Sequence, residues 1–283
     1  MKKEITALAK SLKISEIGFV SADFYLERAE KIKKSSSLCA SGSEKEALFG
    51  AKTIIVCSFS YYTGCEEGNI SMYARGTDYH LVIKEKLQRI VDKLTENGYS
   101  ASAFADVGAL NERLLAKLSG IAFIGENQMA ISEKTGSYFF VGYVITDCPL
   151  PQDKENEKKC KGCGRCRKVC PLGALDNGFC EEKCISYITQ KKGELTPAEI
   201  EAMQKVGTIW GCDECQRVCP HNKGLPVTDI DEFKTDLIYS IDMEEDISAR
   251  EFKRRFGKRA FSWRGKSVIK RNYDAIYNKK KLF

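Results

Sequence analysis

The chain has 283 residues, 43% of them hydrophobic and 30% charged, the make-up of an ordinary globular protein with two domains or one domain and appendages. Its net charge of +6 is concentrated at one end: residues 250–283 hold thirteen Lys and Arg against two acids, a balance of +11 that leaves −5 for the rest. No apolar run approaches the roughly eighteen residues a spanning helix needs, and the charged start Met1-Lys2-Lys3-Glu4-Ile5 is not followed by the apolar stretch of a signal peptide.

Ile5, Leu8, Ala9 and Leu12 recur at helical spacing and predict an opening helix, after which residues 17–20 form a short apolar run. Thr53-Ile-Ile-Val-Cys-Ser-Phe-Ser60 is rich enough in β-branched residues for a buried strand, followed by a loop containing Gly64 and Gly68. Val82, Ile83, Leu87, Ile90, Val91 and Leu94 predict an amphipathic helix over 78–97, closed by Gly98. Residues 99–104 read as a strand ending at Asp106, residues 110–118 as a helix, and residues 131–145 as a hairpin turning at Gly136. Residues 1–151 are therefore expected to form an α/β domain with a mixed sheet. Residues 152–159 are charged and lack apolar periodicity, so they read as the link into a cysteine-rich module spanning 152–226, with one helical insert over 197–205. Residues 227–283 form a basic tail with short helices expected over 247–256 and 266–277.

Nine of the thirteen cysteines fall between Cys160 and Cys219. Cys160, Cys163, Cys166 and Cys170, followed by Pro171, have the spacing of a bacterial ferredoxin run, in which three thiolates hold one cubane and the fourth points to a second. Cys212, Cys215 and Cys219, followed by Pro220, repeat the end of that run, but Ile209 stands where a third leading cysteine belongs. Two [4Fe–4S] clusters need eight thiolates, so the eighth comes from Cys180 or Cys184. By the crossing rule Cys160, Cys163 and Cys166 pair with Cys219, while Cys170, Cys212 and Cys215 take Cys184 or Cys180. Zinc knuckles fit three consecutive two-residue gaps poorly, and an odd cysteine count in a chain of this length argues against a disulfide scaffold. The compartment implied is a reducing cytoplasm.

Six segments carry a resemblance: Tyr73-Ala-Arg-Gly-Thr-Asp-Tyr-His80, Ala105-Asp-Val-Gly-Ala-Leu-Asn-Glu-Arg113, Ile124-Gly-Glu-Asn127, Gly136-Ser-Tyr-Phe139, Cys184-Ile-Ser-Tyr187 and Gly211-Cys-Asp-Glu-Cys-Gln-Arg-Val-Cys-Pro220. In this order, over roughly residues 45–225, they resemble the signatures of epoxyqueuosine reductases. The resemblance implies a cobalamin-dependent iron–sulfur enzyme, related in architecture to reductive dehalogenases, that reduces the epoxide of epoxyqueuosine in a tRNA to an alkene. It implies Asp106 as the proton donor and Cys184 rather than Cys180 as the eighth ligand. It also implies corrin contacts from Asp106, Ala130, Val141, Ser186, Asp213 and Glu214, with Arg75 and His80 in segments near the corrin. An external donor such as a flavodoxin or ferredoxin, and a monomeric state, belong to the same expectation.

Without the resemblance, Asp106 reads as a helix N-cap, Arg75 as a loop charge and His80 as a polar residue at a helix start. His221 follows Cys219-Pro220 and is expected beside a cluster rather than as a ligand. Cobalamin leaves no signature of its own, since Asp78-Tyr-His80-Leu-Val-Ile83 lacks the glycine of D-x-H-x-x-G. Two departures from the family pattern are Glu126 in Gly-Glu-Asn and His221 in Cys-Pro-His, and the chain stops near where the family's helical-repeat domain begins. A related cobalamin reductase with a different small substrate is thus an alternative, as is a ferredoxin-type electron carrier. In the tail, Lys253, Arg254, Arg255, Lys258, Arg259, Arg264, Lys266, Lys270 and Arg271 interleave with Phe252, Phe256, Phe261, Trp263 and Tyr273, a mix suited to RNA, or to packing the tail onto the body with its charges solvated.

Overall fold

In the computed structural model, which describes residues 1–32, 42–64 and 66–278, the chain divides into two units rather than three consecutive segments. The first comprises Met1–Tyr61, His80–Gly162 and Gly224–Ile230; the second comprises Tyr62–Tyr79, Cys163–Lys223 and Asp231–Phe283. The basic tail thus shares a unit with most of the cysteine module, and so does a stretch of the expected N-terminal domain.

The elements of the first unit are, in chain order, α1 Lys2–Ser11, β1 Glu16–Ser21, α2 Ala22–Glu30, α3 Glu44–Ala47, β2 Thr53–Ser60, α4 Tyr79–Glu96 (all but its first residue), β3 Ala101–Ala105, α5 Glu112–Leu118, the short pair β4 Phe123–Ile124 and β5 Ala130–Ile131, and β6 Phe139–Thr146. The α/β class holds, but the sheet, ordered β1-β2-β6-β3, is antiparallel at every pairing and not mixed. β2 and β3 do run the same way around α4, as the alternation of strand and helix suggests, but β6 inserts between them and runs against both. The hairpin expected over 131–145 is also corrected. β5 pairs with β4, while β6 joins the sheet along the whole of β2, from Thr53↔Thr146 to Ser60↔Phe139. A continuously apolar strand is stabilised more at the middle of a covered sheet than at a half-solvated hairpin edge.

Helices cover both faces, which is why β2 is buried at every position. On one face Ile54, Val56, Tyr143 and Ile145 pack with Tyr25 and Ala29 of α2 and Leu114, Leu115 and Leu118 of α5. The other face receives α4 so closely that a Cβ on Gly142 would lie 2.6 Å from Ile83 Cγ2 and 2.9 Å from Leu87 Cδ1. Residues 152–156 are not a free link. Asp153 accepts from Phe19 N (3.0 Å) and Lys2 Nζ (2.7 Å), and Asn156 N donates to Lys117 O (3.0 Å), strapping the segment along this unit.

The second unit contains α6 Arg165–Val169, α7 Ile185–Gln190, α8 Pro197–Val206, α9 Glu214–Arg217, α10 Asp231–Lys234, α11 Ala249–Phe256 and α12 Lys266–Tyr277. α8 is delimited by local chemistry: Thr196 and Glu199 form a capping box, Pro197 occupies the first turn, and Gly207 ends the helix at φ 73°. Trp210 and Phe261 centre one core cluster with Ile70, Ile209, Phe252 and Ile269, and Ile185, Ile188, Ala202 and Met203 form another. The buried Asn272 of α12 donates to the carbonyls of Thr189 (2.7 Å) and Ile209 (2.8 Å), so the tail is part of this unit's interior. Among the tail aromatics Phe252 and Phe261 are buried and Phe256 and Tyr273 pack against them, whereas Trp263 is 61% exposed. No helix among the described residues is long and apolar enough to cross a membrane.

Candidate functional site

In the second unit, α6 carries Cys166, α9 carries Cys215, and the two helices pack together. The thiols of Cys170, Cys184, Cys212 and Cys215 are close enough to act on one another. Burial pushes Cys212 up to about 12 and Cys215 well above the usual thiol range, and in both cases the charge of Cys184 adds to the rise. Burial also raises Cys184, with Cys170 contributing, while the backbone N–H groups of Tyr187 and Ser186 oppose the shift. Amides are likewise aimed at Cys212, from Glu214, and at Cys170, whose Sγ accepts from Ala174 N at 3.2 Å. Buried sulfurs that repel one another and receive N–H donors suit thiolates whose charge is taken up by iron, so the donor set fits a cubane. Cys180 is turned instead toward Glu182 Oε2 at 3.5 Å. Of the other thiols, Cys166 and Cys219 are buried, Cys163 is exposed, and Cys160 lies in the last stretch of the first unit. No three His, Cys, Asp or Glu side chains among the described residues are grouped as ligands of a single ion.

In the first unit, β3 ends at Ala105 and the chain turns at Asp106, whose φ of 61° is left-handed. Such a conformation costs a non-glycine residue about 1 kcal/mol, and Asp tolerates it better than most. The turn is held from several sides. Asp106 N donates to Glu112 Oε1 at 2.6 Å, Leu110 N to Tyr143 Oη at 3.3 Å and Asn111 N to Tyr25 Oη at 2.8 Å. Gly108 leaves no room for a side chain against the Tyr143 hydroxyl. Asn111 caps α5, its Oδ1 accepting from Leu114 N, so the cap reading of Asp106 does not hold. The Asp106 carboxylate is 53% exposed, with Oδ2 3.0 Å from His80 Nε2. Val107 beside it is 80% exposed.

Glu112 is the residue that the sequence reading missed. It keeps part of its surface open, yet its carboxyl is desolvated. Burial pushes it up to about 7, the Asp106 charge adds to the rise, and the Asp106 N–H, His80 and Arg113 oppose it. Its place in the segment ending Leu-Asn-Glu-Arg113, two residues after Leu110, was the only signal available.

The other expected contacts divide by unit. Ala130 and Val141 have buried side chains in the first unit's core, and any contact they make to a ligand is through backbone or a small apolar surface. Arg75 is buried in the second unit, donating to Ile70 O through Nε and Nη2 (both 3.2 Å) and to Glu66 O through Nη1 (2.8 Å), with the Tyr239 ring 5.1 Å away; these are the contacts of a loop anchor. Asp213, also buried, accepts from Ser71 Oγ (2.5 Å) and Met72 N (2.7 Å), tying residues 71–72 to the cysteine segment. Ser186 lies in the first turn of α7 near Gln190 Nε2 (3.4 Å), and Glu214 pairs with Arg217 at 3.2 Å.

A cysteine-rich unit suited to iron–sulfur clusters, joined to an α/β unit that holds out a carboxylic acid, defines an iron–sulfur oxidoreductase. Comparison with known proteins sharpens that class. Residues 159–222 match the model of a 4Fe–4S double cluster binding domain, and residues 43–107 match that of epoxyqueuosine reductase QueG, DUF1730. The epoxyqueuosine reductase of Bacillus cereus is 34% identical over 96% of this chain and 78% of its own length. The structure of the Streptococcus thermophilus epoxyqueuosine reductase superposes with a TM-score of 0.81 at 31% identity, over 98% of this chain and 80% of that one. An epoxyqueuosine reductase crystallised with an epoxyqueuosine-modified tRNA-Tyr stem loop superposes at 0.82, with 29% identity, over 97% and 80%. A Bacillus subtilis structure whose catalytic aspartate loop is swung out of the active site superposes at 0.80, with 28% identity, over the same shares. A catabolic reductive dehalogenase, at 16% identity and a TM-score of 0.51 over 95% of this chain and 37% of its own, shares the fold. The chain belongs to the epoxyqueuosine reductase family.

Proposed function

We propose that this protein reduces the epoxide of epoxyqueuosine in a tRNA to the alkene, with Asp106 as the proton donor. The reaction takes two electrons and two protons and releases the epoxide oxygen as water. The observation that carries the assignment is the Asp106 turn: a left-handed residue, braced by Glu112, Tyr143 and Tyr25 contacts, whose carboxyl is left to face His80 at 3.0 Å. An acid so placed delivers its proton to a departing oxygen and is recharged through the neighbouring imidazole. The swung-out aspartate loop of the Bacillus subtilis relative supports reading residues 106–111 as a catalytic loop.

Two [4Fe–4S] clusters form the electron path, one on Cys160, Cys163, Cys166 and Cys219, the other on Cys170, Cys184, Cys212 and Cys215, and Cys180 is the spare thiol. Cobalamin is the remaining cofactor of this reading. The first unit's residues fit it in kind, Ala130 and Val141 offering small apolar surface and Asp106 a carboxyl, and the family resemblance adds Arg75, Ser186, Asp213 and Glu214 as expected contacts. When bound, a corrin cobalt supplies the stepwise electron chemistry that amino-acid side chains lack. The tRNA meets the basic tail, where exposed Trp263 is stacked by Arg264 at 4.0 Å and Lys253 and Lys258 are exposed. A flavodoxin or ferredoxin supplies electrons to a cytoplasmic monomer.

The test is turnover of epoxyqueuosine-containing tRNA by anaerobically reconstituted protein. Asp106→Asn retains iron, sulfide and corrin absorbance and loses at least a hundredfold in rate, within the range of general-acid effects. A variant that turns over within a few-fold of the parent removes Asp106 from the role.

A further inference from the structure

The mechanism uses the Asp106 carboxyl, but the residue's backbone has its own partner, and that partner is chemically unusual. Glu112 begins α5 and reaches back six residues, its Oε1 accepting from Asp106 N at 2.6 Å. The short α5 is fixed independently by the Asn111 cap and by Tyr25, so this contact is not needed to start the helix. Its effect falls on the turn: a carboxylate bonded to the amide of a left-handed residue stabilises that backbone conformation and with it the direction of the Asp106 side chain.

We propose that Glu112 is the positioning residue for Asp106, its carboxylate latching the amide of residue 106 so that the acid faces His80, and that the latch loosens when Glu112 takes up a proton. The proposal rests on the reading of Asp106 as the proton donor and names what regulates it. A neutral carboxyl accepts the same N–H more weakly than a carboxylate. The groups facing Glu112 are Asp106 from the turn, His80 from α4, Arg113 from α5 itself and Tyr143 from β6. With burial raising the carboxyl to about 7, the latch opens and closes across the neutral range.

The experiment is amide hydrogen exchange of residues 106–111 in the reconstituted holoenzyme, corrected for intrinsic rates, in the parent, Glu112→Gln and Glu112→Ala across the neutral range, with turnover measured in parallel. In the parent, protection of the loop falls as pH drops through about 7. Glu112→Gln, which keeps an acceptor oxygen but cannot titrate, holds intermediate protection at every pH. Glu112→Ala loses protection throughout and loses roughly tenfold or more in kcat with KM for the tRNA unchanged, and Gln restores part of the rate. Equal protection in the parent and Glu112→Ala, or the same pH dependence in the parent and Glu112→Gln, overturns the latch. Exchange needs no turnover, so if Asp106→Asn stays active while the latch titrates as described, the reading of Asp106 fails and the latch stands.

Discussion

Replacing Glu112 by Gln is expected to make the protein more stable at neutral and alkaline pH while leaving it unchanged in acid. The Glu112 carboxyl is raised from 4.5 to about 7 in the fold, so between those values the folded state binds a proton that the unfolded chain has already released. The favourable contribution is fully present below pH 4.5, falls as pH rises through that window and is gone above about 7. The interval of two and a half units corresponds to roughly 3 kcal/mol at most, and partial exposure of the residue reduces it to about 1–3 kcal/mol. Glutamine has no such window. Anaerobic urea unfolding of parent and variant, followed by circular dichroism at a series of pH values, gives two curves that meet in acid and diverge above it. Parallel curves would show that the Glu112 carboxyl is not held in its protonated form by the fold. The parent retains a glutamate whose ionisation weakens the fold, the pattern expected where a group serves position or chemistry rather than stability.

Asp213→Ala leaves the Ser71 hydroxyl and the Met72 amide without their acceptor inside the second unit, at a cost of about 2–5 kcal/mol, read as a lower anaerobic unfolding midpoint; an unchanged midpoint would mean water replaces the carboxylate. Cys184→Ala is expected to lose about half of the bound iron and sulfide on reconstitution, and Cys180→Ala to keep all of it; the reverse result would exchange their roles. Trp263→Ala weakens tRNA binding roughly tenfold or more without changing the salt slope, whereas Lys253→Gln with Lys258→Gln lowers that slope by about one to two; filter binding across a salt series separates the two effects, and no change in either variant removes the tail surface as the contact.

Much of the fold was legible because it rests on local pattern. The run of β-branched residues at 53–60 is β2, the apolar positions from Val82 to Leu94 are the buried face of α4, and the helix expected over 266–277 is α12 to the residue. Strand neighbours were not legible, since β6 pairs with β2 across some eighty residues and no local spacing records which strands a central one will join. The division into units was hidden for the same reason. The loop containing Gly64 and Gly68 was expected in the first domain, yet residues just after it, Ile70 and Ala74, find their core with Trp210 and Phe261.

The candidate site divides along that line. Thiolate count and spacing are chain properties, so the expectation of two clusters, with one thiol to spare among the nine clustered cysteines, follows from the sequence alone, because iron demands a fixed number of sulfurs at short intervals. What one carboxylate does among its neighbours is not a chain property. Asp106 faces His80 while Asn111 caps the helix in its place, Arg75 became a loop anchor because carbonyls surround its guanidinium, and Glu112 gained a near-neutral carboxyl because folding stripped its water. Hydrogen-bond partners and desolvation are set by residues distant in sequence, and only the tertiary structure brings those together.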